Sequence, residues 1–193
     1  MPRLIFFTGH AGTGKTTLSK QVVPRLHART GDNFAFLDKD TLYGDYSSRV
    51  MQLLTGDPHD RDSPTFLEHL REPEYEGLLA TARENLEIGV NVVVCAPFSR
   101  EVKDGKLFDP QAMGMSPDTR ISVVWLTLAE EEARRRIEAR GHPRDRYKLA
   151  HWDEYRVRRF EPAAVDYPQM LLFDTTLFTD ANLDAMVEWL AGR

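Results

Sequence analysis

The stretch Gly9-His10-Ala11-Gly12-Thr13-Gly14-Lys15-Thr16 constrains this chain more than any other. Gly9, Gly14, Lys15 and Thr16 meet the spacing G-x-x-x-x-G-K-[ST] without a misfit. The pattern demands an apolar strand before it and a helix after it. Leu4 to Phe7 reads as a short buried strand, and Lys15 to Arg29 as a helix. Glycines let the backbone wrap closely, so several N–H groups aim at one anion. The helix N-terminus adds unpaired donors and partial positive charge. The expected phosphate cradle therefore comprises Gly9, His10, Ala11, Gly12, Thr13, Gly14, Lys15, Thr16 and Thr17. Lys15 reaches the β- and γ-phosphates, and the Thr16 hydroxyl is placed to ligate Mg²⁺. With glycine near 7% of residues, a chance match has odds of roughly 1%, so nucleotide phosphate binding is the firm expectation.

The 193 residues suit one domain with a full core, undivided by linkers or repeats. A formal net charge of -5 weighs against a protein whose main task is gripping a nucleic-acid backbone. Cys95 is the one cysteine, so no internal disulfide forms; it sits in an apolar run and reads as a buried small hydrophobe. No apolar run is long enough for a membrane span. The first strand starts at once with no basic-then-apolar leader, which makes a cytoplasmic setting the expectation.

Pro24 falls inside the first helix and is expected to kink or shorten it. Phe34 to Leu37 is a second strand, ending in Asp38-Lys39-Asp40. Beyond it, Val50 to Leu54 looks helical, and Gly56 to Pro64 is a polar loop. Ser63 caps and Pro64 opens the next helix. A longer one runs from about Glu74 to Ile88, closed by Gly89. Val90 to Ala96 is a third strand, and within it Val92 to Ala96 is continuously apolar, the mark of a strand covered on both faces. Residues 101–119 look irregular, and Ile121 to Leu128 is a fourth strand. Thr127 and Glu130 have capping-box spacing. Glu130, Glu131 and Glu132 stand four residues before Arg134, Arg135 and Arg136, the order that favours ion pairs. Trp152 to Val165 reads as a helix, Met170 to Phe173 as a fifth strand, and Asp180 to Ala191 as the last helix. Such alternation implies an α/β fold: a five-stranded parallel sheet, helices on both faces, ligands at the carboxyl ends of the strands.

Asp38 and Asp40 end the second strand on the edge that holds the phosphate loop. If the strand persists they share a face. A carboxylate there can accept the proton of an attacking hydroxyl or hold Mg²⁺ through water; an Asx turn with a helix cap is the structural alternative. Asp40 is favoured as base and Asp38 as the group nearer the metal. Arg136 and Arg140 lie near the buried helix face marked by Ala133 and Ile137, and Arg144 and Arg146 on a Gly/Pro-flanked segment that can move as a lid. Arginines there would stabilise charge developing on a transferring phosphoryl group. Arg100 is a candidate for substrate or phosphate. Arg61, Asp62, His69, Arg71 and Tyr75 are candidates for a substrate pocket in residues 41–88.

These residues resemble the small P-loop kinases, the nucleoside-monophosphate-kinase-like group. That group includes shikimate and gluconate kinases, adenylylsulfate kinase, chloramphenicol phosphotransferase and the compact bacterial kinases described as AAA family ATPases. Asp38-Lys39-Asp40 is similar to the Asp-x-Asp of shikimate-type kinases, whose second carboxylate contacts the acceptor. Arg136-Ile137-Glu138-Ala139-Arg140 looks like the Arg-Leu-x-x-Arg of nucleotide kinases, where the first arginine packs on adenine and the second meets phosphate. The same resemblance implies that Arg144 is the lid arginine within residues 134–150, and that adenine lies near Thr175. It implies a three-layer P-loop NTPase fold acting as one kinase domain, as monomer or homodimer, with ATP and Mg²⁺. The acceptor would be a hydroxyl of a small metabolite or antibiotic. Two other readings compete: a nucleotide-dependent ATPase or switch acting on a protein partner, and a polynucleotide 5′-hydroxyl kinase, against which the acidic balance argues.

Overall fold

Apolar runs bounded by turn residues become β1 (Arg3–Thr8), β2 (Phe34–Asp38), β3 (Asn91–Cys95), β4 (Arg120–Thr127) and β5 (Met170–Asp174) in the computed structural model, which describes residues 1–163 and 167–193. Among these residues the five strands form one parallel sheet in the order β2-β3-β1-β4-β5. The central strand β1 is buried along its whole length, because both faces are covered. Leu4 and Phe6 point one way, into a core with α4 (Arg71–Glu87), Val94, Phe98 and Trp125. Ile5 and Phe7 point the other way, against α1 (Lys15–Thr30) and α9 (Asp180–Ala191). On α1 the residues Leu18, Val22 and Leu26 recur every four positions and are fully buried. Truncating Leu18 or Leu26 to alanine should cost about 2–5 kcal/mol. The expected three-layer α/β architecture is thus observed, and the chain reverses direction across the sheet beside β1, where the phosphate loop emerges.

Several local expectations are corrected. Pro24 does not shorten α1, which runs on to Thr30 and is closed by Gly31 in the left-handed conformation. Pro24 lies on the exposed face, where water can serve the carbonyl it leaves unpaired. The helix after the second strand, α2 (Lys39–Thr55), is far longer than Val50 to Leu54. It begins right after Asp38, so Asp38 and Asp40 do not share a strand face; Asp40 sits in the first helical turn. Ser63 does cap α3 (Pro64–His69), accepting from the Phe66 N–H. Residues 101–119 include much of α5 (Ser99–Lys103) and two 3₁₀ turns, Lys106–Phe108 and Gln111–Met113. The capping box of α6 (Glu130–Arg140) is not formed. Its N-cap is Ala129, because β4 carries Thr127 inside the sheet, where the hydroxyl turns to the Phe173 carbonyl. Of the three Glu–Arg pairs expected on α6, the Glu132–Arg136 pair forms. Glu130 instead accepts from the Trp152 indole at 2.9 Å, and Arg134 pairs forward with Glu138. The helix expected from Trp152 to Val165 is cut short: α7 (Arg146–Ala150) precedes it, and α8 (Trp152–Arg156) ends at Arg156. The last two residues of that expectation, 164 and 165, lie outside the described residues.

Candidate nucleotide and phosphoryl-acceptor site

The loop between β1 and α1 is held by its glycines. Gly9, Gly12 and Gly14 have φ of 130°, 83° and 83°, conformations that side chains rarely adopt. A Cβ on Gly9 would stand 2.5 Å from the Leu126 carbonyl oxygen, and one on Gly12 2.7 Å from that of Ala133. Gly14 faces open space at the start of α1. The result is a concave run of amides above a helix N-terminus, the shape and partial charge a phosphate chain requires.

Lys15 folds back over this loop, donating to the carbonyls of Gly9 and His10 at 2.8 and 2.7 Å. Burial lowers its pKa to about 8, against upward pulls from Cys95 and Asp40 and with a further lowering from Lys148 and Arg140. The Ala11 N–H donates to the Tyr155 hydroxyl at 2.9 Å. His10 turns its ring away from the cradle's amides and hydrogen-bonds the Phe160 backbone through Nε2. The ring packs edge-on against Trp125 and Phe160, and burial lowers its pKa to about 4. A neutral, buried His10 anchors the loop to the chain after α8.

Thr16 and Asp38 come together from α1 and β2: the Thr16 hydroxyl donates to Asp38 Oδ2 at 2.9 Å. The other carboxylate oxygen accepts from the Thr41 N–H at 3.0 Å, capping α2. One oxygen of Asp38 thus faces the Thr16 hydroxyl while the other caps α2, a cap expected from the sequence at Asp40. Cys95, at the end of the neighbouring strand, is buried and its thiol pushed up to about 11, so it is a neutral group there and no nucleophile. Two adjacent hard oxygens fit Mg²⁺, which takes few protein ligands and completes its shell from water and phosphates.

Asp40 opens toward a cleft of about 890 Å³ that runs along the carboxyl ends of β1, β2 and β3. Arg144 pairs with it at 2.7 Å and Lys39 at 3.5 Å. Burial works to raise the Asp40 pKa, but Lys39, Arg144, Arg61 and Lys15 reverse that and hold it at about 2. Lys39 is itself held by buried Glu74 at 2.6 Å, which also binds Arg61 at 2.6 Å. Arg140 forks onto Asp145 with two bonds of 2.7 Å. Lys148 bridges Asp62 at 2.9 Å and Asp145 at 3.5 Å, joining the 134–150 segment to the polar loop before α3.

Among the described residues ten lysines and arginines line this cleft against four aspartates, a strong local excess in a chain of net charge -5. Arg71 is already neutralised: it binds Glu101 at 2.9 and 3.0 Å and lies 4.2 Å over the Tyr75 ring. Arg100 also lines the cleft, as do Arg61, Asp62 and Tyr75; His69 is not among the lining residues. A second hollow of about 400 Å³ adjoins the loop on the other side, lined by Thr13, Thr17, Arg136, Arg140, Thr175 and Phe178 among others. There the Arg136 guanidinium approaches the Thr175 hydroxyl and carbonyl at 3.4 and 3.5 Å. Sequence reasoning missed Lys39, Glu74, Lys148, Tyr155 and Phe178. Lys39 stood between the two aspartates, and Phe178 four residues beyond the last strand; nothing in the sequence marked the other three.

Strand, glycine loop, helix and adjoining Thr16–Asp38 pair define a P-loop NTPase fold. The family model described as AAA domain matches residues 4–162, and the chain belongs to that family. No curated protein sequence matches it. Solved structures share its fold at low identity. A sugar kinase from Janibacter sp. HTCC2649 is 18% identical over 98% of this chain and 94% of its own, with a TM-score of 0.63. A gluconokinase from Sinorhizobium meliloti is 16% identical over 99% and 90%, TM-score 0.58. Chaetomium thermophilum Kti12 in complex with ADP-AlF3 is 18% identical over 98% and 97%, TM-score 0.66. The resemblance to small P-loop kinases therefore holds at the level of fold.

Proposed function

We propose that this protein is a kinase that moves the γ-phosphoryl group of ATP to a hydroxyl of a small molecule. The observation that carries the reading is the Asp40–Arg144 pair, which lies in the same cleft as Lys15 and Thr16. A carboxylate facing an open cleft beside the phosphate loop is placed to orient an acceptor hydroxyl for attack on the γ-phosphorus. Gly9 to Thr17 and Lys15 hold the phosphates, and Arg136, Thr175 and Phe178 flank the base. Thr16 and Asp38 would hold Mg²⁺, which when bound neutralises the β- and γ-oxygens. Asp40 accepts a hydrogen bond from the acceptor hydroxyl and orients it for in-line attack. With a pKa near 2 it takes the proton late, once the new bond has acidified that hydroxyl. Arg140 and Arg144 come from the 134–150 segment, which acts as the lid. Residues 41–88 form the acceptor side, where Arg61 and Arg71 line the cleft as fixed walls paired with Glu74 and Glu101.

The excess of cations further supports an acceptor that is itself anionic, met by Arg100 and Lys103 on α5. The test is a screen of acidic and neutral metabolites, with hydroxyl-bearing antibiotics, for transfer from γ-labelled ATP. Transfer that is lost in Asp40→Asn while ATP still binds supports the reading. ATP hydrolysis indifferent to every acceptor, with a protein captured in one nucleotide state alone, would establish the switch instead.

A further inference from the structure

Tyr155 stands on α8, directly after the lid segment, and is 7% exposed. Its hydroxyl accepts from the Ala11 N–H at 2.9 Å, and both residues line the large cleft together with Lys15 and Asp40. Ala11 lies two residues after Gly9, inside the phosphate loop. The ring is set independently of the hydroxyl: Trp152 packs on it at 5.2 Å, and the Lys148 and Arg158 cations lie 5.3 and 5.5 Å from its centroid.

One feature separates this tyrosine from a strut. Buried phenols ordinarily donate as well as accept. Among the described residues the Tyr155 hydroxyl makes its one hydrogen bond as an acceptor, so its proton is left to face the cleft. A hydroxyl that accepts from a backbone amide is polarised into a better donor. We infer that Tyr155 donates its phenolic O–H to a non-bridging oxygen of the transferring phosphoryl group, and is a catalytic residue of the lid side. The inference rests on the kinase reading above. In the transfer, the acceptor oxygen bonds to the γ-phosphorus as the bond from phosphorus to the β,γ-bridging oxygen breaks. The acceptor proton leaves to Asp40 or water, and ADP departs. Tyr155 keeps its proton throughout; it stabilises charge on an equatorial oxygen and fixes the group against the loop.

Tyr155→Phe keeps the ring and deletes the hydroxyl alone. Calorimetry would compare wild type and variant with Mg²⁺-ADP and with the Mg²⁺ complex of the β,γ-imido analogue of ATP. If wild type binds neither, the kinase reading itself falls and takes this inference with it. If wild type binds both, the variant should keep its ADP affinity within about twofold and lose roughly tenfold for the imido analogue, as expected for one hydrogen bond to a charged group. Single-turnover consumption of ATP should slow by roughly 10- to 100-fold per folded molecule. Equal losses for the two nucleotides, or a lowered midpoint with an unchanged rate per folded molecule, would reduce Tyr155 to a loop strut and overturn the inference. So would a variant indistinguishable from wild type.

Discussion

The Thr16 hydroxyl donates to Asp38 at 2.9 Å across the gap between the first helix and the second strand. That bond welds the start of α1 to the start of α2, since the same carboxylate caps α2 through Thr41. Replacing Asp38 by asparagine separates its two duties. Asparagine caps helices as well as aspartate does, so the thermal midpoint should hardly move. Loss of the charge should weaken nucleotide binding in Mg²⁺ by roughly 10- to 100-fold and leave metal-free binding unchanged. Calorimetry with and without Mg²⁺ reads both; a variant that binds as tightly as wild type in Mg²⁺ would remove Asp38 from the metal.

Lys15 carries a pKa lowered to about 8, chiefly by burial. A bound triphosphate favours the ammonium form, so binding draws a proton from solution once the free protein has lost it. Affinity for ATP should be flat below pH 8 and fall toward tenfold per unit above it. Titrating Kd from pH 6.5 to 9.5 tests this, and Lys15→Ala should bind weakly with no such slope.

Arg144 contributes to holding Asp40 near a pKa of 2. Arg144→Ala should move that titration up toward the ordinary carboxylate range, visible in the carboxyl carbon shift by NMR. The sign of the stability effect follows. The folded pKa lies below the unfolded one, so Asp40 stabilises the fold above the unfolded pKa, and that contribution fades as pH falls toward 2. In Arg144→Ala that contribution should be smaller and its loss complete at a higher pH. An unmoved Asp40 titration would show that Lys39, Arg61 and Lys15 set it without Arg144.

Two loop glycines should respond differently to a methyl group. Gly9→Ala drives a Cβ into the Leu126 carbonyl at 2.5 Å, against backbone that has no room to give. Gly14→Ala meets nothing within 4 Å and bears conformational strain alone. Urea denaturation should show a loss of about 1–2 kcal/mol for Gly14→Ala and a clearly larger one for Gly9→Ala. Equal losses would mean that the Leu126 strand yields.

The phosphate loop was legible because its chemistry is local: four residues at fixed spacing, flanked by a strand and a helix. The sheet was legible for a similar reason, since Val92 to Cys95 are apolar on both faces. The cleft was not. Glu74 and Lys39 are 35 residues apart and meet only after β2 and α4 have packed. Tyr155 and Ala11 are 144 apart, and a tyrosine beside a tryptophan reads as core until the loop it touches is seen. Asp40 was found but misplaced, because its strand ends at Asp38, two residues short of what a shared face requires. The capping box at Thr127 is missing because that residue still belongs to β4 and the N-cap of α6 falls on Ala129.

The charge of the cleft has a kinetic side. The lining carries ten cations against four aspartates, and with Lys39, Arg61 and Arg71 paired to Glu74 and Glu101 the remaining net positive charge makes the mouth a converging field for anions. Anionic ligands are captured faster than diffusion alone delivers neutral ones, and the advantage shrinks as added salt shortens the Debye length below about 8 Å. The ionic-strength dependence of the association rate, measured for each partner alone, then distinguishes a steered acceptor from one that arrives by chance.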